Sequence, residues 1–357
     1  MKEILINSNE NISTRIIIQE GLSANLYNYI ENFQDIKKFY LITNTRIAKL
    51  YKNLIYKFAN DRIFILKDGE KYKNFKTYER IINFLLSKKI ERNDTIVALG
   101  GGVVGDIAAF AASTVLRGVN LIQIPTTLLA MCDSSVGGKT GINSNFGKNL
   151  IGSFYNAYKV LIDTDFINTL PEYEYKCGLS EVLKYAFIEK SCKNNEYFDL
   201  LEYFTRNQTD DIKYDMSNII EKCIKLKANV VSLDRKEGGL RKILNFGHTY
   251  AHPIETLSNY KNISHGEAVA FGMRFASKLS HNLKLIDDDY YKKIIFLLDK
   301  FGLAVKKIKY NPKDIIKLMS NDKKVLDNKV NLLLPTSPAV VELFDNINQP
   351  SLEASML

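Results

Sequence analysis

The sequence of 357 residues predicts two domains, an α/β domain with a parallel sheet and a second, mostly α-helical domain. In the first 165 residues, short apolar runs alternate with amphipathic stretches, which is typical of repeated β–α–β units. After Pro171, long amphipathic segments dominate the sequence. We therefore expect domains at residues 1–170 and 171–357, with an active site in the cleft between them.

Strand and helix signals follow one another closely in the first domain. A hairpin is predicted at Ile4–Ile6 and Arg15–Gln19, and further strands are predicted at Phe39–Thr43, Arg62–Leu66, Thr95–Leu99, Leu121–Ile124 and Val160–Ile162. Helices are predicted near Thr45–Ala59, Phe75–Lys88 and Val103–Val115. The sheet is expected to be Rossmann-like, with ligands at the carboxyl ends of its strands.

The second domain shows mainly helical periodicity. Predicted helices are Gly178–Lys190, Lys213–Ser232, His265–Asn282 and Asp288–Lys300. Strand signals occur only at Val330–Leu334 and Val340–Leu343, and no element is predicted for Asn346–Leu357. The sequence pattern of residues 171–357 therefore indicates a helical domain with a small hairpin near its C-terminal end.

Composition and charge exclude several classes of protein. Hydrophobic residues make up 46% of the chain and charged residues 25%, which excludes a mainly disordered protein. The formal net charge is +9, from 49 basic and 40 acidic residues, and indicates either a solvated basic surface or a site for anionic substrates. No basic run carries interleaved aromatic residues, so no nucleic-acid partner is expected.

One apolar segment is long enough to cross a bilayer. Thr95–Leu116 contains Asp106 and three consecutive glycines, which favour a strand, a turn and a buried helix over a membrane span. The first residues lack the apolar region of a secretory signal, and the four cysteines are scattered without a CxxC pair. We therefore expect no membrane partner and a reducing, cytoplasmic location.

A glycine-rich turn is the first functional signal. Gly100-Gly101-Gly102-Val103-Val104-Gly105 fits G-x-G-x-x-G between a predicted strand and a predicted helix. Glycines allow a backbone to approach a pyrophosphate, whose charge is stabilised by the helix N-terminus. The motif lies about three β–α units into the chain, and no acidic residue near position 120 could hold a ribose. We favour phosphate binding in a non-standard arrangement, the alternative being a tight turn without a ligand.

A second glycine motif does not qualify as a phosphate loop. Gly138-Lys139-Thr140 matches the end of a Walker A motif, but position 133 is aspartate where that motif needs glycine. A P-loop is therefore excluded.

Three of the four histidines fall within residues 248–265. His248 and His252 have the i, i+4 spacing that places two side chains on one helix face, and His265 begins another helical segment. This clustering favours a metal site over ordinary core or surface histidines. Glu181 is a candidate third ligand, although Lys184 at i+3 leaves an ordinary ion pair as the alternative.

Several sequence blocks occur together in a fixed order. They are DGEKYK (68–73), GGGVVGD (100–106), IPTTLL (124–129), DSSVGGKTGIN (133–143), KN (148–149), SEVLKY (180–185), LNFGHTYAH (244–252) and HGEA (265–268). With these blocks the chain resembles the 3-dehydroquinate synthase family over roughly residues 40–335. The resemblance implies an NAD- and metal-dependent lyase of the shikimate pathway that converts 3-deoxy-D-arabino-heptulosonate 7-phosphate to 3-dehydroquinate and phosphate. The implied steps are alcohol oxidation, phosphate elimination, carbonyl reduction, ring opening and intramolecular aldol closure.

The resemblance also implies a role for individual residues. The implied ligands of one Zn or Co ion are Glu181, His248 and His265. The implied NAD site comprises Asn44, Asp68, Glu70, Lys73, Gly102, Val103, Val104, Gly105, Asp106, Thr126, Thr127, Lys139, Lys148, Phe166 and Thr169. The implied substrate site comprises Asp133, Lys139, Lys148, Asn149, Lys184, Lys227, Arg241 and Asn245, with Arg117 contributed by the partner subunit of a homodimer. The implied catalytic residues are His252, Glu237, Lys139, Asn149, Lys184 and Lys227, and one of Lys323 and Lys324 is expected to line the site.

Three rival functions are compatible with parts of this pattern. Another sugar-phosphate cyclase would use the same NAD and metal on a different sugar phosphate. A metal-dependent polyol dehydrogenase of the same fold would release NADH and would not need the lysine and arginine cluster. A non-enzymatic basic binding module would have no use for Glu181, His248 and His265.

Two residues depart from the family pattern. Pro253 follows His252 inside a predicted helix, where proline costs about 3 kcal/mol unless it lies in the first turn. The helix is therefore expected to begin near His248–Tyr250 or to kink there. Cys132 precedes Asp133 where a small aliphatic residue is usual, and it is expected to be buried and inert.

Overall fold

The computed structural model describes residues 1–6, 14–33, 37–258, 263–303, 310–321, 331–345 and 347–356. The chain divides into two compact units, Met1–Leu170 and Pro171–Leu357.

A seven-stranded sheet forms the centre of the described part of the first unit. Its strands are β1 (Lys2–Ile6), β2 (Thr14–Ile18), β3 (Phe39–Asn44), β4 (Ile63–Leu66), β5 (Thr95–Gly100), β6 (Asn120–Pro125) and β9 (Lys159–Ile162). They lie in the order β1-β2-β9-β6-β5-β3-β4. β1 runs antiparallel to β2, and the other neighbours pair in parallel, which confirms the predicted sheet. A separate hairpin, β7 (Lys139–Ser144) and β8 (Gly147–Phe154), was not predicted.

The helices of the first unit are α1 (Leu26–Glu31), α2 (Thr45–Leu50), α3 (Lys52–Ile55), α4 (Phe75–Ser87) and α5 (Gly102–Thr114). The helix predicted near Thr45–Ala59 is interrupted, because the chain leaves helical geometry at Tyr51, with φ −114° and ψ 39°, and the helical segment ends at Ile55. The Tyr51 ring packs edge-on against Phe166, with centroids 4.9 Å apart. The helical periodicity continues through Tyr51, but this tertiary contact accompanies a break in the helix.

Strand order creates a switch point between β3 and β5. The chain leaves β3 towards β4 at the edge of the sheet, whereas it leaves β5 towards β6 on the opposite side. Open α/β sheets bind ligands outside the carboxyl ends of the strands at such a point. Asn44, Gly100 and Thr126 lie at or just beyond the carboxyl ends of β3, β5 and β6, which are adjacent in the order β3-β5-β6.

The second unit is mostly helical, as predicted. Its helices are α6 (Glu172–Ile188), α7 (Leu200–Arg206), α8 (Thr209–Tyr214), α9 (Met216–Leu233), α10 (His248–Leu257), α11 (His265–Asn282), α12 (Asp288–Lys300), α13 (Pro312–Asn321) and α14 (Gln349–Met356), and its hairpin is β10 (Leu332–Ser337) with β11 (Val340–Phe344). Every residue of α6 from Cys177 onward is buried, and α6 packs against α7, α9, α11 and α12. α11 in turn contacts α10, α12, α14 and β10, so α6 and α11 form the core of the unit.

The predicted ends of helices in the second unit were right where a capping residue or an apolar face marks the end of the helix. α11 and α12 have the predicted ends. α6 begins at Glu172, six residues before the predicted start at Gly178. The prediction missed the first turn because this turn is polar and its residues Glu172 and Glu174 lie outside the apolar pattern. α7, α13 and most of α8 were not predicted, and the predicted helix Lys213–Ser232 is interrupted at Asp215, between α8 and α9. Val330 of the predicted strand lies outside the described residues. The tail also differs from expectation, since α14 buries Leu352 and packs against α11.

The segment Thr95–Leu116 contains β5 and α5, as expected. Across the described ranges, no helix combines the length and the apolar character needed to cross a bilayer. α10 begins at His248, as predicted, so that Pro253 lies inside the helix beyond its first turn. Cys132 is fully buried, as expected.

Candidate functional site

Three side chains of the second unit bring their donor atoms together. Glu181 lies on buried α6, while His248 and His265 are the first residues of α10 and α11. One donor atom from each lies within 4.8 Å of the others, and both histidine Nε2 atoms lie 3.5 Å from Glu181 Oε1. Ligand atoms about 2.05 Å from a tetrahedral zinc ion are about 3.3 Å apart, so this donor set fits a zinc-like ion.

A glycine contact positions His265 relative to Glu181. The Gly266 amide donates to Cys177 Sγ at 3.2 Å, and a Cβ added to Gly266 would lie 2.4 Å from Cys177 Cα. Cys177 precedes Glu181 by one turn of α6. Glycine at position 266 therefore lets the first turn of α11 lie directly on the backbone of α6, next to the carboxylate.

Electrostatics distinguish the two histidines. Burial lowers the pKa of His248 to about 3, so this ring is neutral at pH 7 and ready to act as a ligand. Burial also lowers the pKa of His265, but hydrogen bonds with Glu181 and Glu255 outweigh it and raise the pKa to about 10. Lys184 forms an ion pair with Glu181 one turn away, both side chains being 1% exposed. The structure thus contains the intrahelical pair that the sequence left open as an alternative.

The other predicted residues of this unit lie on α9, on α10, on the 3-10 helix Leu240–Asn245 and in the loop before that helix. The ring of His252 is exposed on α10, with its centroid 5.7 Å from that of His248. Asn245 Nδ2 donates to Glu237 Oε1, which brings these two predicted residues together. Arg241 and Lys227 are 2% and 5% exposed, and α9 packs against the 3-10 helix that carries Arg241.

Asp234, which was not among the predicted site residues, organises the loop before Arg241. Its carboxylate accepts the backbone N–H groups of Gly238 at 2.9 Å, Gly239 at 2.7 Å and Arg241 at 2.9 Å. The loop holds Glu237 at φ +62°, in the left-handed region that non-glycine residues rarely adopt. The signal that could have revealed it is an aspartate four residues before a glycine pair, a pattern typical of side-chain-supported turns.

In the first unit the glycine turn closes tightly against β6 and the segment after it. Gly101 is the N-cap of α5, and a Cβ there would lie 2.9 Å from Thr127 Cγ2. A Cβ on Gly105 would lie 3.1 Å from Gln123 Oε1. None of these glycines has a positive φ, so close packing is the reason for glycine here.

A hydroxyl next to this turn lacks a partner. Thr126 is 3% exposed, and its Oγ1 has no hydrogen-bond partner among the described residues. Buried polar groups are usually hydrogen-bonded, so an unpaired hydroxyl at the carboxyl end of a strand indicates a place for a ligand atom. The turn and the hydroxyl therefore fit a phosphate-bearing cofactor.

Four predicted binding residues of the first unit join one polar network. Buried Lys73 contacts Asp106 and donates to Asn149 Oδ1 at 2.6 Å. Asn143, which was not among the predicted site residues, donates to Glu70 Oε1 at 2.7 Å and accepts the Asn149 N–H at 3.0 Å. Asn149 itself has φ +56°, which asparagine tolerates better than most residues.

The remaining predicted residues are dispersed over this unit. Asn44 donates to Asp68 at 2.8 Å and caps α2. Gly102, Val103 and Val104 form the first turn of α5, Phe166 and Thr169 lie on the 3-10 helix Thr164–Thr169, Asp133 lies in the π-helical turn Ala130–Ser134, and Lys139 and Lys148 lie on the β7–β8 hairpin. Lys323 and Lys324 lie outside the described residues.

Arg117 occupies an unusual turn after α5. Leu116, Arg117 and Gly118 have φ values of +50°, +68° and +124° in succession. Left-handed non-glycine residues cost energy and cluster at functional sites. Arg117 is exposed, and this turn holds it at the surface of the unit.

Two protein families and several known enzymes are similar to this chain. The family described as 3-dehydroquinate synthase N-terminal matches residues 63–177, and the family described as 3-dehydroquinate synthase C-terminal matches residues 178–325. The 3-dehydroquinate synthase of Prochlorococcus marinus subsp. pastoris is 39% identical, covering 95% of each chain. That of Alkaliphilus metalliredigens is 39% identical, covering 96% of this chain and 95% of its own.

A solved structure is similar over the whole length. A crystal structure of 2-deoxy-scyllo-inosose synthase complexed with carbaglucose-6-phosphate, NAD+ and Co2+ is 25% identical, with a TM-score of 0.85 and 99% of each chain covered. The curated relatives share clearly more sequence with this chain than that cyclase does. With both family matches and near-full-length identity of this kind, the chain belongs to the 3-dehydroquinate synthase family.

Proposed function

We propose that this chain converts 3-deoxy-D-arabino-heptulosonate 7-phosphate to 3-dehydroquinate and phosphate in the shikimate pathway. The observation that carries the proposal is the triad of Glu181, His248 and His265, with donor atoms within 4.8 Å, in a chain of this family. A non-enzymatic binding module would have no use for such a triad. The higher identity to 3-dehydroquinate synthases favours this substrate over that of the other cyclases.

We propose that Glu181, His248 and His265 bind one divalent ion, Zn2+ or Co2+. When bound, this ion supplies Lewis-acid polarisation of an alcohol or carbonyl oxygen. Glu181 Oε1 faces both histidines while Oε2 contacts Lys184, so the ion pair fixes the orientation of the carboxylate. His248 Nδ1 lies 3.2 Å from the Phe246 carbonyl oxygen, which favours the tautomer that leaves Nε2 as the ligand atom.

NAD is the proposed cofactor of the first unit. It supplies reversible hydride transfer, and it is regenerated in each turnover of the proposed reaction. The glycine turn at α5 offers backbone N–H groups to the pyrophosphate, and Thr126 offers an unpaired hydroxyl. Lys73 and Asp106 hold the adjoining polar network in place.

The proposed substrate carries a carboxylate and a phosphate, which explains the cations among the site residues. Lys184, Lys227 and Arg241 of the second unit are all nearly buried, and their positive charges suit an anionic substrate. Arg241 has a planar fork that can bind two oxygens of one anion. Lys139, Lys148, Asp133 and Asn149 from the first unit, and Asn245 from the second, are proposed to complete the binding set.

His252 and Glu237 are the proposed proton carriers for ring opening. The His252 ring is exposed beside the triad, which keeps it accessible to substrate and solvent. Histidine suits this task because its usual pKa lies near neutrality. The hydrogen bond from Asn245 orients the Glu237 carboxylate.

We further propose a homodimer in which Arg117 reaches the phosphate site of the partner subunit. The exposed, left-handed turn at Leu116–Gly118 supports this proposal. The test mixes Arg117→Ala and Lys227→Ala subunits, each of which we expect to be inactive when assayed alone. Heterodimers have one site with both residues intact if Arg117 acts across the interface, so random mixing should restore about a quarter of wild-type activity. Mixtures that stay inactive although mass analysis shows heterodimers would exclude this role of Arg117.

We propose a reducing, cytoplasmic location for the enzyme. The cysteines Cys132, Cys177, Cys192 and Cys223 are free and buried, as expected for a protein that forms no disulfides.

The function is tested by incubating purified protein with the heptulosonate phosphate, NAD+ and Zn2+ or Co2+. Phosphate and 3-dehydroquinate should appear in equal amounts, and a chelator or His265→Ala should abolish both. Other sugar phosphates and polyols serve as rival substrates in parallel reactions. Folded, metal-loaded protein that releases no phosphate from the heptulosonate would refute the proposal.

A further inference from the structure

Each histidine of the triad has one ring nitrogen towards Glu181 and one away from it. Nε2 of both rings lies 3.5 Å from Glu181 Oε1. The opposite nitrogen of His248 lies 3.2 Å from the Phe246 carbonyl oxygen. The opposite nitrogen of His265 lies 3.5 Å from Oε1 of Glu255, a residue outside the predicted site.

The position of Glu255 follows from the helix that carries it. Glu255 comes seven residues after His248 on α10, a spacing of two helical turns that places both side chains on one face. α10 packs against α11, which begins with His265. The same face of α10 therefore provides one triad histidine and the carboxylate behind the other.

The burial of Glu255 makes this contact significant. Glu255 is 3% exposed, and a carboxylate is buried at low cost only when hydrogen-bond donors or cations compensate its charge. The Nδ1–H of His265 is such a donor. Glu255 faces the ring nitrogen that points away from Glu181, so it acts on the histidine and does not take part in the donor triad.

We infer that Glu255 is a positioning residue for the metal centre, one that holds the His265 ring in the Nδ1–H tautomer with Nε2 directed at the ion. A carboxylate in this place also increases the basicity of the ligand nitrogen, and loss of such partners typically lowers metal affinity about 10- to 100-fold. The inference deepens the proposed function and rests on it. It predicts that metal binding depends on a residue that does not contact the metal.

The test compares Glu255→Gln and Glu255→Leu with a matched control, Glu267→Gln. Glu267 is also a glutamate close to His265, but its carboxylate accepts the Ser264 N–H in the capping box of α11 and is exposed. Glutamine can serve the same cap, so this control should leave the metal site intact. Glu255→Gln is nearly isosteric, which keeps a folded variant available if Glu255→Leu does not fold.

The measurement titrates metal-free full-length protein with Zn2+ against a competing chelator and with Co2+ by visible absorption. Neither readout needs substrate or turnover. Glu255→Gln should bind Zn2+ about 10-fold more weakly, with a changed Co2+ spectrum, and Glu255→Leu should bind more weakly still, while Glu267→Gln matches wild type. A folded Glu255→Gln protein with wild-type affinity and spectrum would overturn the inference alone. Wild-type protein that binds neither ion would overturn the proposed metal site as well.

Discussion

Gly272 of α11 lies directly against the backbone of Gly247, the residue that precedes α10. A Cβ added to Gly272 would lie 1.8 Å from the Gly247 carbonyl oxygen. Gly247 has φ +82°, and a Cβ there would lie 2.9 Å from the Val269 carbonyl oxygen. The two glycines thus let the start of α10 pack on the middle of α11, and this contact places His248 within reach of His265.

Gly272→Ala should disrupt this crossing, because the added methyl would meet backbone that cannot rotate away. Overpacking of this kind costs about 1–3 kcal/mol, so the free energy of unfolding in urea should fall by about that amount. Affinity for Zn2+ should fall with it. Gly238→Ala is the control, since the nearest atom to a Cβ there is 3.9 Å away. Wild-type stability of the Gly272→Ala protein would show that the helices do not approach so closely.

Thr126→Val tests whether the unpaired hydroxyl serves the cofactor. Removal of a buried hydroxyl without a partner should not lower the stability of the cofactor-free protein. If NAD+ accepts or donates a hydrogen bond there, its affinity should fall about 3- to 10-fold, as measured by calorimetry.

Thr95→Val is the matched control for Thr126→Val. The Thr95 hydroxyl is also buried without a partner in the described chain, but Thr95 lies at the amino end of β5, away from the expected ligand edge. Equal NAD+ affinity for wild type and both variants would remove Thr126 from the cofactor site.

Asp234→Asn tests the loop that carries Glu237 and Arg241. Burial raises the pKa of Asp234, but hydrogen bonds from the Arg241, Gly239 and Gly238 amides outweigh it and hold the pKa below the ordinary value of 3.8. The charged carboxylate therefore stabilises the fold above about pH 4, and this stabilisation is lost as the pH falls through the lower folded-state pKa. At pH 7 the variant should lose about 1–3 kcal/mol of unfolding free energy.

The pH dependence is the decisive readout for Asp234. The stability difference between wild type and Asp234→Asn should shrink when unfolding is measured at decreasing pH below 4. Asp61→Asn is a suitable control, because Asp61 is 67% exposed and its nearest cation, on Arg62, is 4.0 Å away. A difference that stays constant down to pH 2 would contradict the depressed pKa.

Lys73→Met tests the network of the first unit. Lys73 is 4% exposed and contacts Asp106, so its removal leaves a partly buried carboxylate without that cation. We expect a loss of about 1–3 kcal/mol, less than for a fully buried pair because Asp106 is 22% exposed. Lys38→Met breaks an exposed ion pair with Glu91 and should cost less than about 1 kcal/mol. Equal losses of unfolding free energy for Lys73→Met and Lys38→Met in chemical denaturation would show that the Lys73 network stabilises the fold no more than an exposed ion pair does.

Local signals in the sequence account for the elements that were predicted well. Ser264 and Glu267 form a capping box, and Asp287 caps α12 through the Tyr290 N–H, so the starts of α11 and α12 could be read from short motifs. The β7–β8 hairpin was missed because its strands include glycine, asparagine and lysine without strict alternation. The break at Tyr51 coincides with a contact to Phe166, which is 115 positions away and invisible to a local pattern.

In the site, too, residues marked by local sequence patterns were predicted, whereas residues that act through tertiary contacts were missed. Histidine spacing and the family blocks indicated Glu181, His248 and His265, and the structure brings their donor atoms together. Glu255, Asn143 and Asp234 were missed because each acts through a contact with another candidate residue. A carboxylate within an apolar helical segment, such as Glu255, could have been noticed from its i+7 spacing to His248.

The most direct test of the account counts turnovers per NAD+. Purified, metal-loaded protein with limiting NAD+ should form 3-dehydroquinate in large molar excess over the cofactor, with no accumulation of NADH absorbance, because the proposed reaction returns the hydride to its intermediate. Product that stops at one equivalent of NAD+, with matching NADH release, would contradict the account and indicate a dehydrogenase.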